Sequence, residues 1–208
     1  MASRLLYERR YKAETTEAVD LDELGLAADG RGRYEPSDWR VLARVLPRRA
    51  VSSDDVFVDI GSGMGRVVLQ AAMRYRFRRV IGVELAEGLT ETARRNVERN
   101  RTRLRCKDVE LIAADATAYE LPDDVTVVFL YNPFGGELFE RVIANVVASL
   151  DRRPRRLRVI YKNPIEHERI LGTGRFRVTS EWKRPSARFL GRPDPGVTRT
   201  YETAEPAG

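Results

Sequence analysis

The chain has 208 residues, a formal net charge of +6, and 42% hydrophobic residues. That length fits one domain with a full hydrophobic core rather than two. No apolar stretch is long enough to span a membrane, and the N-terminus lacks the apolar core of a signal peptide. A single cysteine excludes an internal disulfide framework and suits a reducing compartment, so we expect a cytoplasmic protein.

The numbers of cysteine, histidine, arginine and lysine residues bear on two kinds of partner, a metal ion and a nucleic acid. One cysteine and one histidine, Cys106 and His167, are too few for a zinc site, and we expect His167 to be exposed within Glu-His-Glu. The basic residues are 33 arginines and 4 lysines, and their local runs are not interleaved with aromatic residues as in a base-stacking platform. Nucleic acid stays open as a partner, but charge alone does not favour it.

We expect residues 1–50 to form an N-terminal helical segment, here called the lead-in, which is polar at first and then amphipathic. Residues 51–208 are expected to form the main domain. We expect helices near 14–27 and 37–46, with Ser37 as the N-cap of the second helix. Turn-forming residues fill the connection between them, which contains Tyr34 and Glu35. A segment of this kind before a capped helix can close over a bound ligand as a lid.

Residues 56–65 read Val-Phe-Val-Asp-Ile-Gly-Ser-Gly-Met-Gly. The first five are β-branched or aromatic at most positions, which is typical of a buried parallel strand. Apolar residues at helical spacing follow from Arg66 to Tyr75. The glycines therefore lie on a strand-to-helix turn, where a ligand can approach bare backbone and the free N–H groups of a helix start. This arrangement predicts a site for a nucleotide-type cofactor.

The glycine spacing narrows the choice of cofactor. Gly61, Gly63 and Gly65 alternate, whereas the pyrophosphate fingerprint G-x-G-x-x-G needs its third glycine at the position of Arg66. No Gly-Lys-Ser/Thr follows, so a Walker-type phosphate loop is also excluded. Asp59, just before the turn, would repel a phosphate but suits a ligand that carries an ammonium or a sulfonium.

The rest of the chain alternates predicted strands and helices. In order they are strand 79–85, helix 86–100, strands 109–114 and 125–131, helix 136–150, strand 157–161, helix 165–171, and strands 175–183 and 197–202. With the strand at 56–60 there are seven strands, the last two forming an antiparallel pair. We therefore predict an α/β fold: a single Rossmann-like domain whose mostly parallel sheet has helices on both faces.

Polar residues follow successive predicted strands. Glu84 comes roughly 20 residues after the glycines, where nucleotide-binding folds place a carboxylate for ribose hydroxyls. Asp115 and Asn132 end the next two strands. Each alone could be a solvated strand end, a helix N-cap or a strand-terminating turn. Their shared placement instead indicates a ligand site at the carboxyl edge of the sheet.

These motifs resemble those of the class I S-adenosylmethionine-dependent methyltransferases. The resemblance implies S-adenosyl-L-methionine as the cofactor, with Asp115 facing the adenine edge. The cofactor-binding residues that it implies are Tyr34, Glu35, Asp59, Gly61, Ser62, Gly63, Gly65, Glu84, Leu85, Asp115, Ala116 and Asn132.

A narrower resemblance is carried by the run from Tyr34 to Ala72, by Tyr-Asn-Pro-Phe at 131–134 and by Lys-Asn-Pro at 162–164. These segments are similar to the SET-independent histone lysine methyltransferases of the disruptor-of-telomeric-silencing family. The resemblance implies that Tyr34 and Glu35 approach the methionine moiety and that Asn132 lines the methyl-transfer channel. Pro133, directly after Asn132, departs from that family's pattern.

The Asn-Pro-Phe segment also resembles the Asn-Pro-Pro-Tyr/Phe motif of methyltransferases that act on planar amides and exocyclic amines. We therefore expect a nitrogen acceptor oriented by Asn132, with Tyr34 or Tyr131 near the methyl group, and no metal. A small-molecule acceptor is the main prediction. A protein lysine side chain, or a cofactor-binding module without turnover, are the alternatives.

Overall fold

The computed structural model describes residues 2–16, 35–132, 134–183 and 196–204. Its strands are β1 Val56–Ile60, β2 Arg79–Glu84, β3 Val109–Ala113, β4 Val127–Tyr131, β5 Arg158–Lys162, β6 Phe176–Lys183 and β7 Val197–Thr203. Its helices are α1 Ala2–Tyr11, α2 Val41–Val45, α3 Arg66–Arg74, α4 Glu87–Arg99, α5 Gly136–Arg152 and α6 His167–Gly172, with 3₁₀ turns at Arg48–Ala50 and Arg101–Arg103.

The seven strands form one sheet in the order β3-β2-β1-β4-β5-β7-β6. β1 to β5 are parallel to one another, and β7 is antiparallel to both of its neighbours, β5 and β6. The predicted α/β fold, with seven strands and an antiparallel C-terminal pair, is confirmed. The strand order reverses direction beside β1, and open α/β sheets bind ligands at the carboxyl edge of such a switch point.

Helices cover both faces of the sheet, as predicted. On one face Phe57 and Phe129 lie in a core with Leu42 of α2 and Leu69 of α3. The opposite face packs against α5, and its core includes Val58, Ile60, Val128, Leu130, Phe139, Val142 and Val146. Alternate residues of β1 and β4 therefore serve opposite cores, which is why these strands are apolar almost throughout.

The lead-in differs from its predicted helices. A helix at Ala2–Tyr11 was not predicted, and the helix expected at 37–46 is one turn, Val41–Val45. Ser37 is not its cap, because the Ser37 hydroxyl oxygen has no hydrogen-bond partner among the described residues. Of the helix expected at 14–27, residues 14–16 are irregular and the rest lies outside the described residues.

Contacts with α4 explain why the pattern of the lead-in was misleading. The side chain of Asn100 donates to the carbonyl of Tyr11 at 2.6 Å. The Asn96 amide exchanges two hydrogen bonds with the backbone of Glu14, at 2.9 and 3.0 Å. Such tertiary bonds fix the path of the chain independently of its hydrophobic period, which is the only signal a local pattern offers.

One other expectation needs correction. His167 is half-buried rather than exposed, and its Nδ1 lies 2.8 Å from the hydroxyl of Tyr201. Cys106 lies in the connection between the 3₁₀ turn at Arg101–Arg103 and β3, and its side chain is buried in the core beneath α3. Burial raises the pKa of the Cys106 thiol, which makes it a poorer nucleophile.

Within the described residues, no helix combines the length and apolarity needed to cross a membrane. The same residues contain no cluster of three or more histidine, cysteine or acidic side chains that could hold a metal ion.

Candidate active site

A cleft opens at the carboxyl edge of the sheet, where β1, β2, β3 and β4 end. It encloses about 900 Å³, counted to its open mouth. Predicted site residues on its wall are Glu35, Asp59, Gly61, Ser62, Glu84, Leu85, Asp115, Ala116, Tyr131 and Asn132. The fold therefore brings together side chains that are almost a hundred positions apart in the sequence.

The glycine turn, whose Gly61 and Ser62 lie on the cleft wall, has backbone conformations that only glycine adopts freely. Gly61, Gly63 and Gly65 have φ angles of 77°, 52° and 79°. The N–H groups of Gly61 and Ser62 both donate to the carbonyl of Val83, at 2.8 and 3.0 Å, and so tie the turn to β2. The glycine pattern read from the sequence therefore reflects a backbone requirement.

Gly65 meets a second requirement, because it is the N-cap residue of α3. A Cβ atom at Gly65 would lie 2.9 Å from the Cβ of Ala93 in α4, closer than real Cβ contacts allow. Neither Gly63 nor Gly65 is on the cleft wall, so both shape the turn from behind. Tyr34 lies outside the described residues.

Glu84, at the end of β2, holds the turn with its carboxylate. It accepts hydrogen bonds from the N–H of Gly63 at 2.8 Å and from the N–H of Ala86 at 3.0 Å. Burial raises the pKa of Glu84, while these N–H donors act in the opposite direction by stabilising the charge. Each carboxylate oxygen keeps a lone pair for a ligand hydroxyl on the cleft side.

Asp59 is the least compensated charge in the cleft. Only 3% of it is exposed, and no described residue forms a hydrogen bond or an ion pair with its side chain. Burial, and secondarily repulsion from Glu84, raises the pKa of Asp59 well above its ordinary value. A ligand cation would relieve both effects, so this end of the cleft is suited to a positively charged group.

Asp115 closes the β3 side of the cleft with a short turn. Its Oδ1 accepts from the backbone N–H and the hydroxyl of Thr117, both at 2.8 Å. The turn holds Asp115 and Ala116 on the cleft wall beside Leu85.

The β4 end of the cleft has a different unpaired group. Asn132 adopts a left-handed backbone with a φ of 39°, and its Oδ1 is buried without a hydrogen-bond partner among the described residues. An unpaired buried amide oxygen costs about 1–3 kcal/mol, and it is a hydrogen-bond acceptor for any N–H or O–H group that enters. Asn163, the corresponding residue after β5, also has a positive φ, of 52°, but it is not on the wall.

Side chains from later in the chain fix the surroundings of Asn132. The ammonium of Lys162 lies 3.6 Å from the centre of the Tyr131 ring. The carboxylate of Glu166 accepts from the N–H of Gly136 at 2.8 Å, and it is paired with Arg169 at 2.6 Å. The connection from β4 to α5 is therefore held by residues that follow β5.

Arg66 is a cleft residue whose structural role the sequence did not indicate. Its guanidinium, 2% exposed, donates to the carbonyls of Thr15 and Ser37, each at 2.8 Å, and pairs with Glu8 at 3.0 Å. It thereby holds the chain on both sides of residues 17–34, next to the glycine turn. The available signal was an arginine where a fingerprint glycine would stand, but its partners lie more than 25 positions away.

Several further wall residues, which are apolar or contribute little chemistry of their own, were not predicted from the sequence. They are Pro36, Ser37, Val67, Val83, Ala114, Thr117, Phe129, Phe134 and Leu138. Most of them lie beside a predicted site residue in the chain, so proximity to a motif was the one signal that could have found them.

Comparison with known proteins places this fold and site in a family. A model of the family described as DOT1, histone methylation protein DOT1, matches residues 34–164, more than half of the chain. That match includes the glycine turn and all the described wall residues of the cleft.

Two curated relatives are similar over shorter stretches. A protein-lysine N-methyltransferase of Saccharolobus islandicus is 34% identical over 67 residues, covering 32% of this chain and 42% of that protein. A histone-lysine N-methyltransferase of Drosophila melanogaster, H3 lysine-79 specific, is 34% identical over 70 residues, covering 30% of this chain and 4% of that protein. The aligned stretch thus spans less than half the length of either relative.

Solved structures show the same fold at low sequence identity. An RNA methyltransferase from Salinibacter ruber in complex with S-adenosyl-L-homocysteine has a TM-score of 0.55 and 22% identity, covering 83% of this chain and 97% of that one. The B. subtilis m1A22 tRNA methyltransferase TrmK has a TM-score of 0.57 and 17% identity, covering 79% and 64%. These similarities establish a Rossmann-like methyltransferase fold.

Proposed function

Because the chain belongs to the DOT1 histone methylation family, we propose that it is an S-adenosylmethionine-dependent methyltransferase that methylates a nitrogen atom. One observation carries the proposal: a single cleft contains a buried, unpaired carboxylate, Asp59, and a buried, unpaired amide oxygen on Asn132. The first suits a cationic cofactor and the second suits an acceptor that has an N–H group.

The residues at the β1–β3 end fit S-adenosylmethionine, which carries an ammonium, a sulfonium and ribose hydroxyls but no phosphate. Asp59 would hold a cationic group, and the free lone pairs of Glu84 would accept from the ribose hydroxyls. The bare backbone of the glycine turn permits close approach. Asp115 and Leu85 would border the adenine, as the resemblance to the methyltransferases implies.

When bound, the cofactor supplies an electrophilic methyl group on a sulfonium. The work of this chain is then to orient and desolvate the acceptor, a proximity effect that can be worth about 7–11 kcal/mol. Asn132 Oδ1 would accept a hydrogen bond from the acceptor nitrogen and so fix the direction of its lone pair. Phe134 and Leu138, on the same wall, would exclude water from the acceptor.

The structure offers no histidine as a general base on the cleft wall. His167, the one histidine of the chain, is bonded to Tyr201 and does not line the cleft. We therefore propose that the acceptor amine binds in its neutral form, and that its surplus proton leaves to water after transfer.

A protein lysine side chain is the acceptor that the relatives favour, because two of them are named as lysine methyltransferases. A small-molecule amine, predicted from the sequence, stays the alternative. A module that binds the cofactor without turnover is the third possibility to be tested.

Incubation with methyl-labelled S-adenosylmethionine distinguishes these acceptors. Separate protein, small-molecule and RNA fractions would be supplied, and labelled products would be identified by mass spectrometry. We expect label on a nitrogen atom, in the protein fraction if the lysine assignment is correct, and none with the G63V variant. Cofactor binding without label in any fraction would contradict the enzymatic assignment.

A further inference from the structure

A second concave surface lies on the opposite side of α3 from the sheet. Tyr7 and Tyr11, one helical turn apart on α1, face Trp39. The rings of Tyr7 and Tyr11 are stacked with centroids 6.1 Å apart, and the ring of Trp39 lies 6.1 Å from Tyr7 and 5.3 Å from Tyr11. With Gln70 and Met73 of α3 they form a depression, here called the aromatic groove, which encloses about 810 Å³ to its open mouth.

Five arginines surround this groove. Arg40, Arg48 and Arg74 line it directly, and Arg10 and Arg103 line an adjoining depression that shares Tyr11 and Met73 with it. The guanidinium of Arg10 lies 5.8 Å from the centre of the Tyr11 ring. The five side chains come from α1, from the segments on either side of α2, from α3 and from the turn after α4. The folded chain thus gathers cations that are scattered along the sequence.

These five arginines have no carboxylate partner among the described residues. The nearby acidic groups are already engaged, since Glu8 pairs with Arg66 and Asp38 pairs with Arg44. The groove therefore carries a positive charge that is not neutralised by its described surroundings, and it attracts polyanions.

The wall of the groove also has an unpaired polar group. Trp39 is 7% exposed, and its indole Nε1–H has no acceptor among the described residues. Trp39 is only two residues from Ser37, which lines the active-site cleft. The groove thus leads from the rim of the cleft along α3 toward Arg74, the last residue of that helix.

The half-buried rings of Tyr7 and Tyr11, which pack on the buried Trp39 and are flanked by arginines without a described ion pair, suit one partner in particular. Bases stack on aromatic rings regardless of their sequence, and arginines neutralise the phosphates between them. An acidic peptide would use the arginines but not the rings, and duplex nucleic acid would keep its bases stacked away from them. We propose that the aromatic groove binds a single-stranded nucleic acid. The inference does not rest on methyl transfer, since it concerns a separate surface and needs neither cofactor nor acceptor.

The sequence did not favour this partner because the aromatic and basic residues are not interleaved along the chain. Tyr11 and Trp39 lie in different parts of the lead-in, and Arg74 and Arg103 come later still. The packing of α1 against α3, which was not predicted, is what brings them together.

Fluorescence anisotropy tests the proposal with defined probes and the full chain. The probes are labelled oligouridylate and oligothymidylate of about 12 nucleotides, a labelled DNA duplex of the same length, and unlabelled polyglutamate as a competitor. We expect the single strands to bind more tightly than the duplex, and polyglutamate to compete weakly. The two single-stranded arms show whether ribose or deoxyribose is preferred. Each neutralised phosphate should contribute about −0.7 to the slope of log affinity against log salt.

A matched pair of triple variants locates the site. In R10Q/R40Q/R48Q the three arginines make no described side-chain hydrogen bond, so we expect intact folding, at least about tenfold weaker binding and a salt slope smaller by about 2. The control R95Q/R153Q/R177Q removes the same charge from exposed positions elsewhere, and it should bind within about twofold of the unaltered chain.

The Y11L variant tests the stacking contribution separately. Loss of one stacked base predicts about five- to 150-fold weaker binding with an unchanged salt slope. Equal loss of affinity in the two triple variants, competition by polyglutamate as strong as by oligouridylate, or no binding at low salt would each overturn the proposal.

Discussion

The two ends of the active-site cleft leave different groups unpaired. At the β1–β3 end the turn donors are satisfied by Val83 and Glu84, and the uncompensated group is the carboxylate of Asp59. At the β4 end, the group without a described partner is the neutral amide oxygen of Asn132. A buried charge selects a cation and a buried carbonyl selects a hydrogen-bond donor. We therefore propose that one end holds the methyl donor and the other holds the atom that receives the methyl group.

The largest expected effect concerns Arg66, which ties the lead-in to the β1–β3 end. R66M removes the counter-charge of the Glu8 carboxylate and the donor for two buried carbonyls, so we expect a loss of about 3–5 kcal/mol in the free energy of unfolding. Thermal unfolding should show a decrease in Tm of roughly 10 °C. The double variant R66M/E8L should recover part of the lost stability, because the carboxylate that has lost its counter-charge is removed.

The exposed Arg95 is the control for that loss. R95M should stay within about 0.5 kcal/mol of the unaltered chain. Comparable destabilisation by R66M and R95M would mean that the buried network around Arg66 contributes no special stability.

Next in size is the effect of a side chain on the glycine turn. G63V places a β-branched residue at a φ of 52° and disturbs the N–H that Glu84 accepts, so the affinity for S-adenosylmethionine should fall at least about 100-fold. Titration calorimetry measures it. G88A is the control, because a Cβ there meets nothing within 4 Å, and its affinity should not change.

The buried carboxyl group of Asp59 predicts that the stability of the fold depends on pH. Its raised pKa means that the folded protein binds the proton more tightly than the unfolded chain, so this stabilising contribution is complete below about pH 4 and is lost as the pH rises through the raised pKa. D59N should therefore raise the Tm of the free protein at pH 7.

Cofactor affinity should respond to pH in the opposite direction. A cationic group needs ionised Asp59, so affinity should fall by up to about tenfold per pH unit below the raised pKa, with protons released on binding. Calorimetry in buffers of different ionisation enthalpy detects that release. The same pH dependence in D59N would refute the assignment of the effect to Asp59.

The smallest effect is expected at the other end of the cleft. E166A removes the acceptor for the Gly136 N–H and should cost about 1 kcal/mol in stability while cofactor affinity stays constant. The neighbouring variant E168A, at an exposed position, is the control. A weaker cofactor affinity in E166A alone would show that the two ends are not independent.

The sequence-based prediction of the fold succeeded where the residues that determine an element are close together in the chain. The strand β1, the glycines and the start of α3 form one continuous segment, so spacing alone identified their geometry, and the seven strands followed from apolar runs between turns. Glu84 could be found because it is the last residue of β2, and Asp115 because it follows the end of β3 closely.

Prediction was incomplete where distant residues determine the structure. α1 and the residues that follow it are held by Asn96, Asn100 and Arg66, none of which has a recognisable spacing to that segment. The wall around Asn132 depends on Glu166 and Lys162, which follow a different strand. The buried, unpaired state of the Asn132 oxygen is likewise a property of packing, and a sequence can suggest only that an asparagine ends the strand.

Asn132 offers the most direct test of the division between the two ends. Asn163, with a similar φ at the end of the neighbouring strand but away from the cleft wall, is its matched control for backbone strain. With the acceptor identified by labelling, N132A should bind S-adenosylmethionine within about twofold of the unaltered chain in calorimetry and lose about 100-fold in methyl transfer, whereas N163A should keep both. Unchanged methyl transfer by N132A, with the cofactor still bound, would contradict the assignment of the acceptor site.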